Sequence, residues 1–279
     1  MIWLTRGRFV EQRNGHRPID TSVAHPARRY NYWLGGKDHF AADRESGDLL
    51  AAAFPTARIA ALENRDFLRR SVRRLAEAGV RQFLDIGTGL PVPDNTHEIA
   101  QRIAPESRVM YVDNDPIVMA HARALTVGTP QGRTGYLEAD LREPQAILHN
   151  PEVRAVLDFN QPVALLLVAV LHFIHDDELA RSIVQQLLDA LPSGSHLVAS
   201  NLTMDYAGPE QIARHEEMYA SGRSDARART REEFGSFFAG LDLLEPGIVA
   251  VSDWHPDRPA DQRPTAGEVA INGAVGRTI

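Results

Sequence analysis

The chain has 279 residues, of which 43% are hydrophobic and 24% charged, a balance that is ordinary for a globular protein. It contains no cysteine, which excludes disulfides, thiolate nucleophiles and cysteine-ligated metal sites. The net charge of −7 argues against a nucleic-acid partner, because binding to phosphates needs a basic surface. No apolar run reaches the roughly 18 residues of a membrane span, and the polar N-terminus carries no secretory signal, so we expect no membrane contact and a cytoplasmic location.

The predicted elements divide the chain into three segments. Residues 1–24 show no periodic pattern and are expected to be an irregular extension. Residues 25–80 carry apolar positions at helical spacing and predict an N-terminal helical cap. Residues 81–279 predict a single domain in which strands alternate with helices. The strands are expected at 81–86, 108–113, 136–140, 163–168, 196–200, 242–251 and 268–275, and the helices at 96–103, 117–125, 144–157, 176–191, 208–220 and 230–239.

The alternation of strands and helices predicts an α/β fold with a Rossmann-like sheet. Consecutive right-handed βαβ units give a parallel sheet that is covered by helices on both faces. Residues 163–168 show no polar alternation, which is typical of a central strand buried on both sides. Ligands of such sheets bind at the carboxyl ends of the strands, so the residues that follow each strand are the candidates for a site.

The first predicted strand of this sheet ends in an acid and two glycines. Asp85 precedes Gly87 and Gly89, and glycine permits a tight turn whose backbone comes close to a ligand. A carboxylate here would repel a pyrophosphate, but it suits a cationic amino-acid ligand. The third glycine of the nicotinamide fingerprint is replaced by Val92, which disfavours a dinucleotide.

Acids also end the second and third predicted strands. An acid in the position of Asp113 typically accepts both ribose hydroxyls, although it could also simply cap the next helix. Asn114 follows directly and is assigned to the same site. Asp140 can accept the exocyclic amine of an adenine, with Leu141 packed nearby. The glycine turn, the ribose acid and the adenine acid together predict a site for an adenosine.

Four stretches of the chain resemble one known family. They are residues 27–40 (ARRYNYWLGGKDHF), 83–91 (FLDIGTGLP), 95–98 (NTHE) and 111–116 (YVDNDP). Over roughly residues 24–279, the chain is similar to the actinobacterial S-adenosyl methyltransferase family. That family, formerly a domain of unknown function, is part of the class I methyltransferase superfamily.

The resemblance implies a fold, a cofactor and a set of binding residues. The fold is a seven-stranded class I methyltransferase sheet in the order 3-2-1-4-5-7-6, with the last strand antiparallel. The cofactor is S-adenosyl-L-methionine, held by Asp85, Gly87, Gly89, Asp113 and Asp140.

The N-terminal signature contains a second candidate group of cofactor-binding residues. Gly36 and Lys37 do not fit the P-loop pattern, and they follow the aromatic residues Tyr32 and Trp33. Our hypothesis is that this segment closes over the cofactor as a lid, with Tyr32 or Lys37 near the ligand's carboxylate. The alternative is a turn between helices whose aromatic residues pack in the core.

Two histidines follow the fourth predicted strand, at the position that faces the reacting methyl group in class I enzymes. His172 and His175 are the candidate catalytic bases, because imidazole titrates near neutral pH. The alternative for His172 is a hydrogen-bonded side chain that lines the adenosine site. Two histidines three residues apart, without further ligands, do not predict a metal site.

The predicted function is methyl transfer from S-adenosylmethionine to a small-molecule acceptor. Residues 171–174 lack the Asn/Asp-Pro-Pro-aromatic motif of enzymes that methylate nucleic-acid amines, which disfavours that subclass. Two alternatives stay open. One is a non-catalytic sensor or interaction protein that binds S-adenosylmethionine, and the other is a nicotinamide-dependent oxidoreductase.

Overall fold

The structure is a computed structural model that describes residues 20–125 and 128–279. The strands are β1 (Gln82–Ile86), β2 (Arg108–Asp113), β3 (Arg133–Glu138), β4 (Ala164–Leu167), β5 (His196–Leu202), β6 (Leu241–Leu243), β7 (Val249–Ala250) and β8 (Ile271–Thr278). The helices are α1 (Pro26–Trp33), α2 (Ala41–Ala53), α3 (Ala57–Glu77), α4 (Thr96–Ile103), α5 (Pro116–Leu125), α6 (Pro144–Leu148), α7 (Pro151–Val156), α8 (Asp177–Asp189), α9 (Pro209–Ala220), α10 (Arg231–Gly235) and α11 (Ala266–Val269).

The strands form one sheet in the order β3-β2-β1-β4-β5-β8-β6. Strands β1 to β5 are parallel, and β8 is antiparallel to both β5 and β6. The predicted order is therefore confirmed, with the last strand of the chain inserted between β5 and β6. The strand predicted at 242–251 is instead two short strands, since β7 also pairs with β8, so the described residues hold eight strands rather than seven. Pro246 lies between β6 and β7, where a residue without an N–H cannot continue the ladder.

Both faces of the central strand β4 are buried, as its sequence predicted. Leu165 and Leu167 belong to the apolar cluster on one face, and Ala164 and Leu166 to the cluster on the other. Side chains alternate between the faces of a strand, so each face needs its own covering layer. Phe67 on α3 is fully buried in the second cluster, which makes α3 part of that layer.

The helix predicted at 144–157 is divided into α6 and α7. Asn150 ends the first helix region and starts the second, because its side chain accepts a hydrogen bond from the backbone N–H of Glu152. Pro151 occupies the first position of α7, where its missing N–H leaves no intrahelical hydrogen bond unmade. Local capping chemistry therefore overrides the continuous apolar pattern.

The N-terminal helices differ in how they relate to the sheet. Helix α3 runs along one face of the sheet, whereas α1 packs mainly against α2 and α3. A separate cap over residues 25–80 stays a prediction, because the second half of α3 is part of the core. The described residues include no helix long and apolar enough to cross a membrane.

Candidate functional site

A cavity of about 900 Å³ opens at the carboxyl ends of the parallel strands. Residues that directly follow β1 to β5 form one wall. The opposite wall comes from α1, the end of α2, the first half of α3 and part of α9. This volume is near the upper limit of the roughly 300–1,000 Å³ that small-molecule sites span. The cavity therefore has room for more than one small ligand.

The end of β1 brings a buried carboxylate and a glycine turn to this wall. Asp85 is 4% exposed, and its Oδ2 accepts a hydrogen bond from Thr96 Oγ1 at 2.7 Å. Burial raises the pKa of Asp85 to about 6, against the opposing effects of that hydrogen bond and of the positive charge of Arg65. Gly87 and Gly89 have φ angles of +76° and +69°, which confirms the predicted tight turn.

The acid at the end of β2 lies in the same cavity. Asp113 accepts hydrogen bonds from the backbone N–H groups of Gly89 and Asp115, both at 2.9 Å. Burial raises the pKa of Asp113. Asp115 caps α5 by accepting the N–H of Ile117 at 2.9 Å. Asp113 and Asp85 thus line one crevice at neighbouring strand ends, as predicted.

The end of β3 completes this half of the cavity. Asp140 accepts the backbone N–H of Arg142 at 2.9 Å and forms an ion pair with its guanidinium at 3.2 Å. Leu141 is buried and lines the cavity beside it. Asn114 Nδ2 lies 3.5 Å from Asp140 Oδ2, which links the ends of β2 and β3. The structure therefore brings together every predicted residue from the strand ends.

The two histidines after β4 have different environments. His172 is 8% exposed, lines the cavity, and has an Nδ1 atom with no hydrogen-bond partner among the described residues. Burial lowers the pKa of His172 to about 4, so its imidazole is neutral at physiological pH. His175 is exposed at the rim, and its Nε2 lies 2.8 Å from the carbonyl oxygen of Asp225. Of the two, His172 is better placed to contact a bound molecule.

The predicted lid residues do not line the cavity. Tyr32 donates a hydrogen bond from its hydroxyl to Asp48 at 2.7 Å, and Lys37 is exposed. Gly36 lies against Asn31, and a Cβ at this position would clash with that side chain. Packing against Asn31 therefore explains why position 36 is a glycine. The placement of Tyr32, Gly36 and Lys37 does not support contacts with a ligand in the cavity.

Other residues of α1 occupy the wall instead. Pro26, Arg29, Tyr30 and Trp33 line the cavity, at spacings of three and four residues. Such spacing places side chains on one face of a helix, and Tyr32 falls outside the series. The helical period of residues 26–33 was the sequence signal that these side chains share one face of α1 and that Tyr32 does not.

A chain of hydrogen bonds connects the cap to the strand ends. The hydroxyl of Tyr30 donates to the carbonyl of Ala61 at 2.8 Å and accepts from Asn64 Nδ2 at 3.1 Å. Asn64 Oδ1 accepts from Ser200 Oγ at 2.7 Å, and Ser200 Oγ accepts from the backbone N–H of Ala169 at 2.9 Å. Ala169 follows β4 with a φ of +56°, so this chain holds a strained turn in the cavity wall.

Ion pairs also attach α1 to the loops around the cavity. Arg28 Nε lies 3.1 Å from Asp115 Oδ2, beside the acid that ends β2. Arg29 Nη2 lies 2.5 Å from Asp225 Oδ1, in the loop that follows α9. Helix α1 is therefore fastened on both sides of the opening, and it covers the strand ends without belonging to the sheet.

The sequence matches the family model described as S-adenosyl methyltransferase over residues 12–279. The chain belongs to this family. No curated protein matches the sequence.

Solved structures agree with the family assignment. A DUF574 family protein from Streptomyces avermitilis is 48% identical, with 94% of this chain and 100% of that chain covered and a TM-score of 0.89. A candidate methyltransferase from Thermobifida fusca is 40% identical, with 93% and 96% coverage and a TM-score of 0.84. The magnesium protoporphyrin IX methyltransferase of Synechocystis, solved with bound S-adenosylhomocysteine, is 11% identical, with 90% and 93% coverage and a TM-score of 0.52, and shows the shared fold alone.

The cofactor of this methyltransferase family is S-adenosylmethionine, and the residues of the cavity fit it. The cofactor carries positive charge on its sulfonium and ammonium groups, and the carboxylates at the ends of β1, β2 and β3, those of Asp85, Asp113 and Asp140, line this part of the cavity. A cationic ligand would favour the ionised form of Asp85, which burial alone disfavours. The nicotinamide alternative is therefore set aside. No cluster of side chains able to hold a metal ion occurs among the described residues.

Proposed function

We propose that this protein transfers the methyl group of S-adenosylmethionine to a small, uncharged and largely apolar acceptor. One observation carries the proposal: the cavity continues from the acids at the ends of β1, β2 and β3 to the ends of β4 and β5 under the N-terminal helices. The three acids would hold the cofactor beside the ends of β1, β2 and β3. The remaining volume lies beside the ends of β4 and β5, where a second molecule can meet the methyl group.

The acceptor half of the cavity is the part lined by Trp33, Leu50, Phe54, Met204 and His215. These residues come from α1, α2, the loop after β5 and α9. Phe54 and His215 are in edge-to-face contact with ring centroids 6.1 Å apart, so α2 and α9 meet here. Aromatic and aliphatic side chains favour an apolar ligand.

The charges in the wall support an acceptor without an acidic group. Burial lowers the pKa of His215, which favours its uncharged form. Glu268 lines the cavity, and its carboxylate accepts hydrogen bonds from the N–H and hydroxyl of Thr265, both at 2.8 Å. A carboxylate or phosphate on the acceptor would meet no unpaired cation among the described residues of this half.

The protein's part in the reaction is to orient the acceptor and exclude water. S-adenosylmethionine, when bound, supplies an electrophilic methyl group on sulfur, and in-line displacement requires alignment with the nucleophile. His172 is neutral, and a ring nitrogen can accept a hydrogen bond from an acceptor hydroxyl or amine. A pKa of about 4 makes His172 a weak base, which favours an orienting role. Helix α1 is held in place by the ion pair between Arg29 and Asp225, and it shields the site from water.

The test is transfer of a labelled methyl group. The full chain is incubated with S-adenosylmethionine carrying a trideuterated methyl group and with fractionated metabolite extracts, and products are read by mass spectrometry. We expect a labelled neutral compound that the Asp113→Asn variant does not produce. Binding of S-adenosylmethionine without any labelled product would contradict catalysis and leave the sensor function. Labelled products confined to acidic metabolites would refute the acceptor class.

A further inference from the structure

Among the described residues, three arginines line the cavity, and only one of them lacks a carboxylate partner there. Arg29 is paired with Asp225 at 2.5 Å, and Arg142 with Asp140 at 3.2 Å. Arg65 forms no ion pair within 4 Å among the described residues, although it is 8% exposed. A buried guanidinium without a carboxylate is costly unless another anion compensates its charge.

The hydrogen bonds of Arg65 leave part of its guanidinium unused. Its Nη2 donates to the carbonyl of Asp94 at 3.1 Å and to Asn95 Oδ1 at 3.2 Å. Its Nε is buried and has no hydrogen-bond partner in the described chain. A buried donor without a hydrogen-bond partner destabilises a protein. Arg65 therefore retains donor capacity in the cavity wall.

Arg65 is also close to the acid at the end of β1. Its charge acts on Asp85, whose carboxylate lines the same cavity. One unpaired cation and one buried acid thus occur together, next to the glycine turn. An amino-acid zwitterion has the matching pair of charges, a carboxylate and an ammonium.

We infer that Arg65 binds the α-carboxylate of the cofactor's amino-acid end, while Asp85 binds its α-ammonium. This inference rests on the proposed function, since it assumes that S-adenosylmethionine occupies the cavity. It assigns to Arg65, on α3, the role that the sequence had suggested for Lys37. Hydrogen bonds from a guanidinium to a carboxylate are strengthened by the charges of both groups, and the Nε of Arg65 has no partner among the described residues to compete with such a contact.

The competing explanation is that Arg65 only holds the loop before α4. In that case the hydrogen bonds of Arg65 to Asp94 and Asn95 would be its complete structural role. The two roles differ in which ligands they affect. S-adenosylhomocysteine contains the amino-acid end, whereas 5′-methylthioadenosine has the same adenosine without it. A displaced loop would weaken the binding of both ligands, whereas loss of the carboxylate contact would weaken the binding of S-adenosylhomocysteine alone.

The experiment measures the affinity for both ligands by calorimetry, with the full chain and with its Arg65→Met variant. We expect the affinity for S-adenosylhomocysteine to fall about 10–100-fold, the loss that follows removal of a hydrogen bond to a charged group. The affinity for 5′-methylthioadenosine should stay within about threefold. Asn95→Ser is the matched control, because serine can still cap α4 while the contact from Arg65 is removed. This control should bind both ligands nearly as the unmodified chain does.

The results separate the possible failures. Equal losses for both ligands in Arg65→Met would assign Arg65 to the loop and overturn the inference, and so would no loss for either. If Arg65→Met does not fold, the unmodified chain is compared with S-adenosylhomocysteine and its decarboxylated analogue, and equal affinities would again overturn it. Absence of S-adenosylhomocysteine binding by the unmodified chain would instead overturn the proposed function, and the inference with it.

Discussion

Asp85 is a buried acid whose charge the folded protein retains at a cost to its stability. Its pKa of about 6, compared with 3.8 for a free side chain, corresponds to about 3 kcal/mol at neutral pH. Because Asp85 binds its proton more tightly in the folded state than in the unfolded state, its contribution to the free energy of unfolding falls as pH rises from about 4 to 7. Asp85→Asn removes the charge and keeps an oxygen that can accept the hydrogen bond of Thr96.

The variant should therefore be more stable without ligand and weaker in cofactor binding. We expect the free energy of unfolding of Asp85→Asn to exceed that of the unmodified chain by about 2–3 kcal/mol at pH 7 and by little near pH 4. Urea denaturation at a series of pH values measures this difference. In the unmodified chain, the affinity for S-adenosylhomocysteine should fall as pH decreases below about 6, because protonated Asp85 no longer attracts the ammonium group.

The control for this prediction is Asp242→Asn, which changes an exposed carboxylate on the short strand β6. Its effect on stability should be within about 0.5 kcal/mol at every pH. A difference between Asp85→Asn and the unmodified chain that does not change with pH would refute the reasoning. A loss of stability at pH 7 would do so as well, since it would mean that the ionised carboxylate is favourable in the free protein.

Three further variants, one of them with a matched control, test other parts of the site. Asp113→Asn should lower the affinity for S-adenosylhomocysteine and for 5′-methylthioadenosine to the same extent in calorimetry, because both ligands contain the same ribose. A lower affinity for only one of them would contradict a ribose-binding role of Asp113. Gly87→Ala places a side chain at a φ of +76° with its Cβ 2.6 Å from Val170, and should lower the free energy of unfolding by about 1–3 kcal/mol in urea. Gly222→Ala, at a similar φ with open space, isolates the backbone strain and should cost less. Trp33→Ala should raise KM for the acceptor at least about tenfold while leaving cofactor affinity unchanged, and an unchanged KM would remove Trp33 from the acceptor half.

The sequence by itself determined the sheet and the group of acids at the ends of its strands. The runs of apolar residues and the turns between them predict parallel strands, and the carboxyl ends of parallel strands meet at one edge. Asp85, Asp113 and Asp140 could therefore be placed together without coordinates. The acid and glycines after β1 depend only on local backbone geometry, which a short motif encodes.

The tertiary structure alone decided which residues of the N-terminal helices reach the cavity. A helix presents a different side chain every 100° or so, and the face that points inward depends on what the helix packs against. Tyr32 of α1 therefore lies outside the wall, whereas Trp33 of α1 and Arg65 of α3 line it. Lys37, in the segment between α1 and α2, does not line the cavity either. The unpaired charge of Arg65 is likewise a property of the assembled fold, since it depends on which acids come within reach once α3 lies against the sheet.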